Sequence, residues 1–272
     1  MTAAPARHRA LLAAAGGHTR FGLSATARIR AEAADGTTDL PLFHGDGPFV
    51  LRRLPSRGPQ ARVCLLNTMS APHNGDRLHI EADIGPGADL HVTSAAATVA
   101  LPGPTLEPAV QDVTLRVDDS ARLAWLPEPL ISAAGSDLRQ HIRIDLASTA
   151  RIVLSEQQIL GRAQEPPGRL ASRITVRRDG RTLLDQHTTY GPGTPGWDGP
   201  AVLDGHRAVG QLLVVDPAYG ERPAEARLLT DVPSHAHAVI TPLAGPGVLL
   251  TALAPDAGDL QQCLDIALDQ LA

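Results

Sequence analysis

Three stretches, "DRLHIEADIGPGADLHV" (residues 76–92), "QDVTLRVDDSARLAWL" (111–126) and "LRQHIRIDLASTARIVL" (138–154), share one plan. Each has an alternating apolar/polar run, an acidic residue near its end and a turn of small residues. Ala-x-(Leu/Ile) then opens a second alternating run. Alternation at period 2 marks a strand with one buried face. The marker alanines Ala88, Ala121 and Ala150 recur about every 30 residues, a repeat length at which each unit buries its apolar face on its neighbour. The expected fold is all-β, with strands wound into a helical stack of β layers. Meandering hairpins are the competing architecture; the shared Ala-x-(Leu/Ile) punctuation favours the stack.

Outward from this block, "SRITVRRDGRTLLDQHTTY" (172–190) is a further strand-turn-strand, with Asp179-Gly180 as its hairpin turn. Upstream, "TRFGLSATARIRAEAA" (19–34) alternates as a strand, and "DGTTDLPLFHGDGP" (35–48) reads as turns. "FVLRRL" and "ARVCLLN" are short strands. Downstream, "GPGTPGWDGPAVLDGH" (191–206) is loop, and "AVGQLLVVD" and "PGVLLTALAP" are strands. Leu260, Cys263, Leu264, Ala267, Leu268 and Leu271 recur at helical spacing, with Asp256 and Asp259 at the N-terminal end, which predicts a C-terminal helix over about 257–271. Residues 1–18 read as a flexible extension, and 19–272 as one β domain ending in that helix.

Hydrophobic residues make up 43% of the chain and charged ones 19%, a balance that supports a buried core and excludes a disordered tail. A formal charge of -5 without a basic block excludes a general attraction to nucleic acid or acidic membranes. No run approaches the ~20 apolar residues of a membrane span, and "ALLAAAGG" is too short and weakly apolar for a secretory signal. A cytoplasmic protein is expected. All 24 basic residues are arginine, which excludes a P-loop or Schiff-base lysine. Cys64 and Cys263 form neither a CxxC pair nor a disulfide framework and read as small buried hydrophobes.

No GxSxG elbow, HExxH, GxGxxG or GxxxxGK[ST] is present, so no catalytic residue and no tightly bound cofactor is expected. His235 and His237 in "SHAHAV" would share one side of a strand and could begin a metal site. His73, His79 and His91 near Asp76 and Glu81 make a looser cluster that reads equally as a polar strand face. More telling are carboxylates in apolar strand contexts: Asp76, Asp83, Glu128, Asp145 and Glu156. A buried carboxylate is costly unless paired, hydrated or metal-bound. Pairing with arginine is the ordinary outcome, and a chain of them along a wet interior would conduct cations. Glu128 lies in "WLPEP" (125–129), where two prolines end strand pairing by removing N–H donors and Trp125 can fill the core.

These motifs, taken in order, resemble the UreD (also called UreH) family of urease accessory proteins. The residues that carry the resemblance are Gly75-Asp76-Arg77-Leu78, Gly85-Pro86-Gly87-Ala88, Thr93 to Thr98, Leu123 to Pro129, and Ala150 to Arg162. The chain departs from the family pattern as a divergent member. Thr68 to Asn74 replace a glycine-rich approach to the aspartate, Val99-Ala100-Leu101 stand where a lysine and an aromatic are usual, and Ser155 replaces a tryptophan. The resemblance implies an all-β nickel-insertion chaperone, not an enzyme, that binds UreF, which recruits the GTPase UreG, and docks them onto apo-urease. It implies a transient Ni²⁺ path, with GTP entering only through the partner GTPase. By motif position Asp76 and Glu156 are its candidate residues, Glu165 matches more loosely, and Glu128 stands where the family also accepts an amide. A metal-independent structural adaptor and an unrelated hydrolase on a β stack are the alternatives.

Overall fold

The computed structural model describes residues 22–271, and the three quoted stretches form successive rungs of one β stack. The expected flexible extension, residues 1–18, lies outside the described residues. In chain order the first strands are β1 (Ser24–Ala34), β2 (Thr37–Gly45), β3 (Phe49–Leu54), β4 (Ala61–Asn67), β5 (Arg77–Ile84), β6 (Asp89–Ser94), β7 (Thr98–Ala100), β8 (Ala109–Val117) and β9 (Arg122–Leu126). They are followed by β10 (Leu130–Ser132), β11 (Asp137–Leu146), β12 (Arg151–Leu160), β13 (Arg169–Arg178), β14 (Arg181–Tyr190), β15 (Ala208–Val215) and the short α1 (Ala218–Glu221). The chain ends with β16 (Arg227–Leu228), β17 (His237–Pro242), β18 (Gly247–Ala254) and α2 (Ala257–Leu271).

Each rung contributes one strand to each of two facing sheets. β5, β8 and β11 lie parallel in a seven-stranded sheet ordered β14-β13-β11-β8-β5-β1-β2. β6, β9 and β12 lie parallel in an eleven-stranded sheet whose main path is β16-β17-β18-β15-β12-β9-β6-β4-β3. The small-residue turns carry the chain from the first sheet to the second. Ala88, Ala121 and Ala150 are fully buried there, and backbone bonds from Arg122 to Ala88 and from Arg151 to Ala121 tie each turn to the next. A larger side chain at those positions would push the turns apart, which explains the repeated alanine.

Parallel pairing stacks equivalent inward positions into rows: Ala82–Leu115–Ile144–Val176 and Ile80–Val113–Ile142–Ile174 in one sheet, Leu90–Leu123–Ile152 in the other. These rows are the core, built from aliphatic side chains as a chain so poor in aromatics requires. β7 and β10 extend the second sheet with a short parallel run beside the end of β12. Antiparallel partners close the stack, β2 on β1, β14 on β13, β3 on β4, and β15 (itself paired with β18) on β12, so the parallel ladders end on antiparallel partners. α2 covers part of the second sheet's outer face, burying Leu260, Cys263, Leu264 and Ala267 in a cluster with Leu212, Val214, Leu250 and Ala252. Cys263 is thus a buried small hydrophobe; Cys64 is only half-buried, and both are free thiols.

One stretch departs from expectation. Residues 37–45, read as turns from their Gly, Pro and Asp content, form the edge strand β2. Asp35 and Gly36, with φ of 48° and 75°, make the two-residue turn of a β1–β2 hairpin. Pro41 is tolerated because it falls at a register shift opposite Arg30 to Glu32, where no ladder donor is needed.

Candidate functional site: a polar layer inside the stack

One inward row breaks the aliphatic rule. Two residues before Ile80, Val113, Ile142 and Ile174 stand Leu78, Gln111, Gln140 and Ser172, paired rung to rung. Facing them, β12 sends Glu156 and Gln158 inward, and Glu156 is paired laterally with Gln211 of β15. The layer lies between the main aliphatic cluster and a second one containing Ala109, Leu138, Leu170, Leu160 and Tyr190. Alternation alone puts these polar groups inside, because shifting any strand by one residue would bury its charged face instead.

Glu156 is 8% exposed. Its Oε1 accepts a 2.5 Å hydrogen bond from the Ser172 hydroxyl, and no ion pair reaches it among the described residues. Burial pushes its carboxyl above the ordinary range, opposed by the Ser172 hydrogen bond and by the nearby Gln158 amide. Around it the buried Gln111 Oε1, Gln140 Oε1 and Gln158 Nε2 have no hydrogen-bond partner. Unpaired buried amides are rare because each costs about 1–3 kcal/mol. A cavity of about 60 Å³, room for a few waters, is lined by Gln111, Gln140, Glu156, Trp125 and Glu128.

This cavity opens through the second sheet at "WLPEP". β12 pairs with β9 only over Arg151–Leu154 and with β10 only over Gln158–Leu160. Between them, Ser155, Glu156 and Gln157 have no ladder partner on that side. Pro127 and Pro129 cannot donate the missing bonds. Glu128 N instead donates to Ser94 Oγ at 2.9 Å, and Pro129 O accepts from Thr98 N. Trp125, 4% exposed, fills the core beside the gap. Glu128 is exposed at its rim.

The other sequence candidates fall elsewhere. Asp76 is 5% exposed, but its oxygens accept backbone N–H bonds from Leu23 and His73, each at 2.7 Å. It knots the start of β1 to the loop before β5, where Gly75 holds a φ of 96° that disfavours any side chain. Glu165 accepts from the Arg162 guanidinium at 2.7 and 2.9 Å and from Ala134 N at 3.2 Å. Those bonds hold its carboxyl down to about 2. Asp83 and Asp145 were expected in apolar surroundings. They lie on the outer face of the seven-stranded sheet, Asp83 paired with Arg116 at 3.0 Å, because both alternate with the inward Ala82, Ile84, Ile144 and Leu146.

The histidine clusters dissolve. His79 and His141 flank Asp112 at 3.6 and 3.0 Å on that outer face, His73 stays near Asp76, and His91 belongs to the other sheet. His235 precedes β17 instead of sharing its face with His237, and His206 packs edge-on against His237 at 5.4 Å. Among the described residues no three His, Cys, Asp or Glu side chains converge as a direct metal cage. The carboxylate candidates are therefore not brought together, although among the described residues Glu156 and Glu128 line one cavity. Sequence reasoning missed Gln111, Gln140, Ser172 and Gln158. Aligning the three repeats on their inward isoleucines and valines would have put Gln111 and Gln140 in one row, and adding the 172–190 strand pair would have put Ser172 there too.

The fold and this layer define a class: a stacked-β protein with a polar, partly hollow interior. The chain belongs to the UreD urease accessory protein family, whose model matches residues 23–272. It is 58% identical over 246 residues to the urease accessory protein UreD 2 of Saccharopolyspora erythraea, covering 90% of this chain and 87% of the relative. Identity is 56% over 255 residues with UreD 3 of Streptomyces griseus subsp. griseus, covering 91% and 96% of the two chains. With UreD of Streptomyces avermitilis it is 52% over 255 residues, covering 93% and 99%. The family is one of accessory proteins, not enzymes, which removes the hydrolase reading. Among the described residues no helix is long and apolar enough to cross a membrane.

Proposed function

We propose that the chain is a nickel-delivery adaptor of urease maturation in the cytoplasm. It docks a complex of UreF and the GTPase UreG onto apo-urease and lets Ni²⁺ pass through its own interior. The carrying observation is Glu156, a buried carboxylate without a cationic partner, set among amide oxygens that lack hydrogen bonds. Amide, hydroxyl and single-carboxylate oxygens hold a divalent cation weakly, as a conduit must, because an ion bound tightly at one station does not leave it. In this reading Gln111, Gln140, Ser172 and Gln158 line the path, and Glu128 stands at its opening.

The test is urease activation reconstituted from apo-urease, this chain, UreF, UreG, GTP and Ni²⁺. Glu156→Gln should lower activated urease at least tenfold while the chain still co-purifies with its partners. Full activation by that variant would remove the conduit. A second reading, a structural adaptor without an ion path, is favoured by Asp76 and Glu165, whose carboxylates are taken up by backbone and arginine donors. It predicts full activation by Glu156→Gln and Glu128→Gln alike.

A further inference from the structure

The inner cavity has an outer neighbour. Between the second sheet and α2 lies a groove of about 140 Å³ whose lining includes Glu128, Ser155, Gln157, Gln261 and Asp265. Pro127, Glu128, Ser155 and Gln157 line both spaces, so the two share the wall formed by the 127–128 turn and β12. The groove carries two carboxylates. Asp265 Oδ1 accepts from Gln261 Nε2 at 2.7 Å, one helical turn away. The Glu128 carboxylate has no hydrogen-bond or ion-pair partner among the described residues, its backbone N–H alone being engaged.

Two carboxylates on a surface do not make a site. What marks this one is the floor between them. Ser155 and Gln157 are 6% and 7% exposed. Ser155 Oγ and Gln157 Oε1 are both fully covered and without a hydrogen-bond partner. Glu156, alternating with them, points the other way, into the polar layer. A buried hydroxyl and a buried amide oxygen left unsatisfied side by side call for a ligand that donates hydrogen bonds. A water shell supplies those donors, and a cation inside that shell is drawn by the carboxylates above. Leu212, Leu264 and Leu268 close the apolar side, holding α2 against the sheet and limiting the groove to a compact ligand.

We infer that this groove is an outer station for a hydrated divalent cation at the mouth of the interior path, formed jointly by β12, the 127–129 turn and α2. The inference rests on the delivery reading for its biological sense, although the station itself is a binding site that can be measured alone. Its oxygen donors, two anionic and two neutral, bind through the ion's water and do not strip it. That fits the lack of a direct metal cage among the described residues. An ion waiting there faces Glu156 across a single strand.

The probe is Mn²⁺, followed by paramagnetic broadening of side-chain amide resonances in the full-length chain. The expected result is selective broadening of Gln157 and Gln261 at low Mn²⁺, with apparent affinity falling at least tenfold in the double variant Glu128→Ala/Asp265→Ala. Both side chains are exposed, and an unchanged backbone spectrum in the variant verifies its fold. Absence of selective broadening overturns the station, as does broadening unaltered by the double variant. Broadening that disappears in Glu156→Gln but survives the double variant overturns it too, by placing the ion inside the stack. If the station binds as described and Glu156→Gln still activates urease fully, the station stands and the delivery reading falls.

Discussion

Asp76 and Glu156 are both carboxylates buried to within a few per cent, yet they do opposite things. Asp76 spends its oxygens on two backbone N–H groups in a tight loop knot. Glu156 has one hydroxyl and one amide for company, in a layer where several polar atoms have no partner. Burial is the same and the hydrogen-bond accounting is not. A satisfied buried acid is part of the scaffold. An unsatisfied one, beside a cavity, has capacity to bind something that comes and goes.

That contrast can be broken by substitution. Asp76→Ala should have the largest effect on stability, about 3 kcal/mol, because it strands two part-buried backbone donors that faced a charged acceptor. Urea denaturation would show the loss as a lower midpoint at unchanged slope. Glu156→Gln keeps the shape and removes a buried ionisable group that has no cationic partner, so its stability should match or exceed the parent by roughly 0–2 kcal/mol. A large loss of stability in Glu156→Gln, or none in Asp76→Ala, would erase the distinction.

The pH dependence sharpens it. Burial raises the Glu156 carboxyl in the folded chain above its ordinary value of 4.5, while the unfolded chain keeps that value. The folded state therefore holds a proton that the unfolded state releases. Its contribution is fully present below the ordinary value and is lost as pH rises through the folded one. Denaturation midpoints measured from acid to neutral pH should thus show a falling component in the parent that is missing in Glu156→Gln. Equal pH profiles for the two would mean that Glu156 ionises as freely as a surface acid.

How much of this was written in the chain divides along the same line. The rungs were legible because period-2 alternation and the alanine turns are local: Ala88, Ala121 and Ala150 announce the stack by their spacing alone. The C-terminal helix was legible for the same reason, as Leu260 to Leu271 repeat at helical spacing. β2 was not, since turn-forming residues dominate it and only an edge position with a register shift admits Pro41. At the site, the family-like motifs picked out both Asp76 and Glu156, and one chain could not tell them apart. Satisfaction depends on the N–H of Leu23, 53 residues from Asp76, and on Ser172, 16 residues from Glu156. The amide row of Gln111 and Gln140 is a property of the register between rungs, visible only when rungs are laid over one another.

Glu165 supplies the smallest and cleanest test, because it is the counterexample of opposite sign. It is held by Arg162 and by the Ala134 and Arg162 N–H groups, and its carboxyl is lowered to about 2. A depressed acid contributes stability above its unfolded value and loses it as pH falls through about 2, outside the window in which Glu156 acts. Exposure and salt screening keep that contribution small, so the readout should be the titration itself. NMR of the Glu165 side-chain carboxyl should show a midpoint near 2, returning toward the ordinary carboxylate range in Arg162→Ala while urease activation is unaffected. If Arg162→Ala instead impaired activation as strongly as Glu156→Gln, an arginine-paired acid would be functional too. The line between satisfied and unsatisfied carboxylates would then no longer separate scaffold from path.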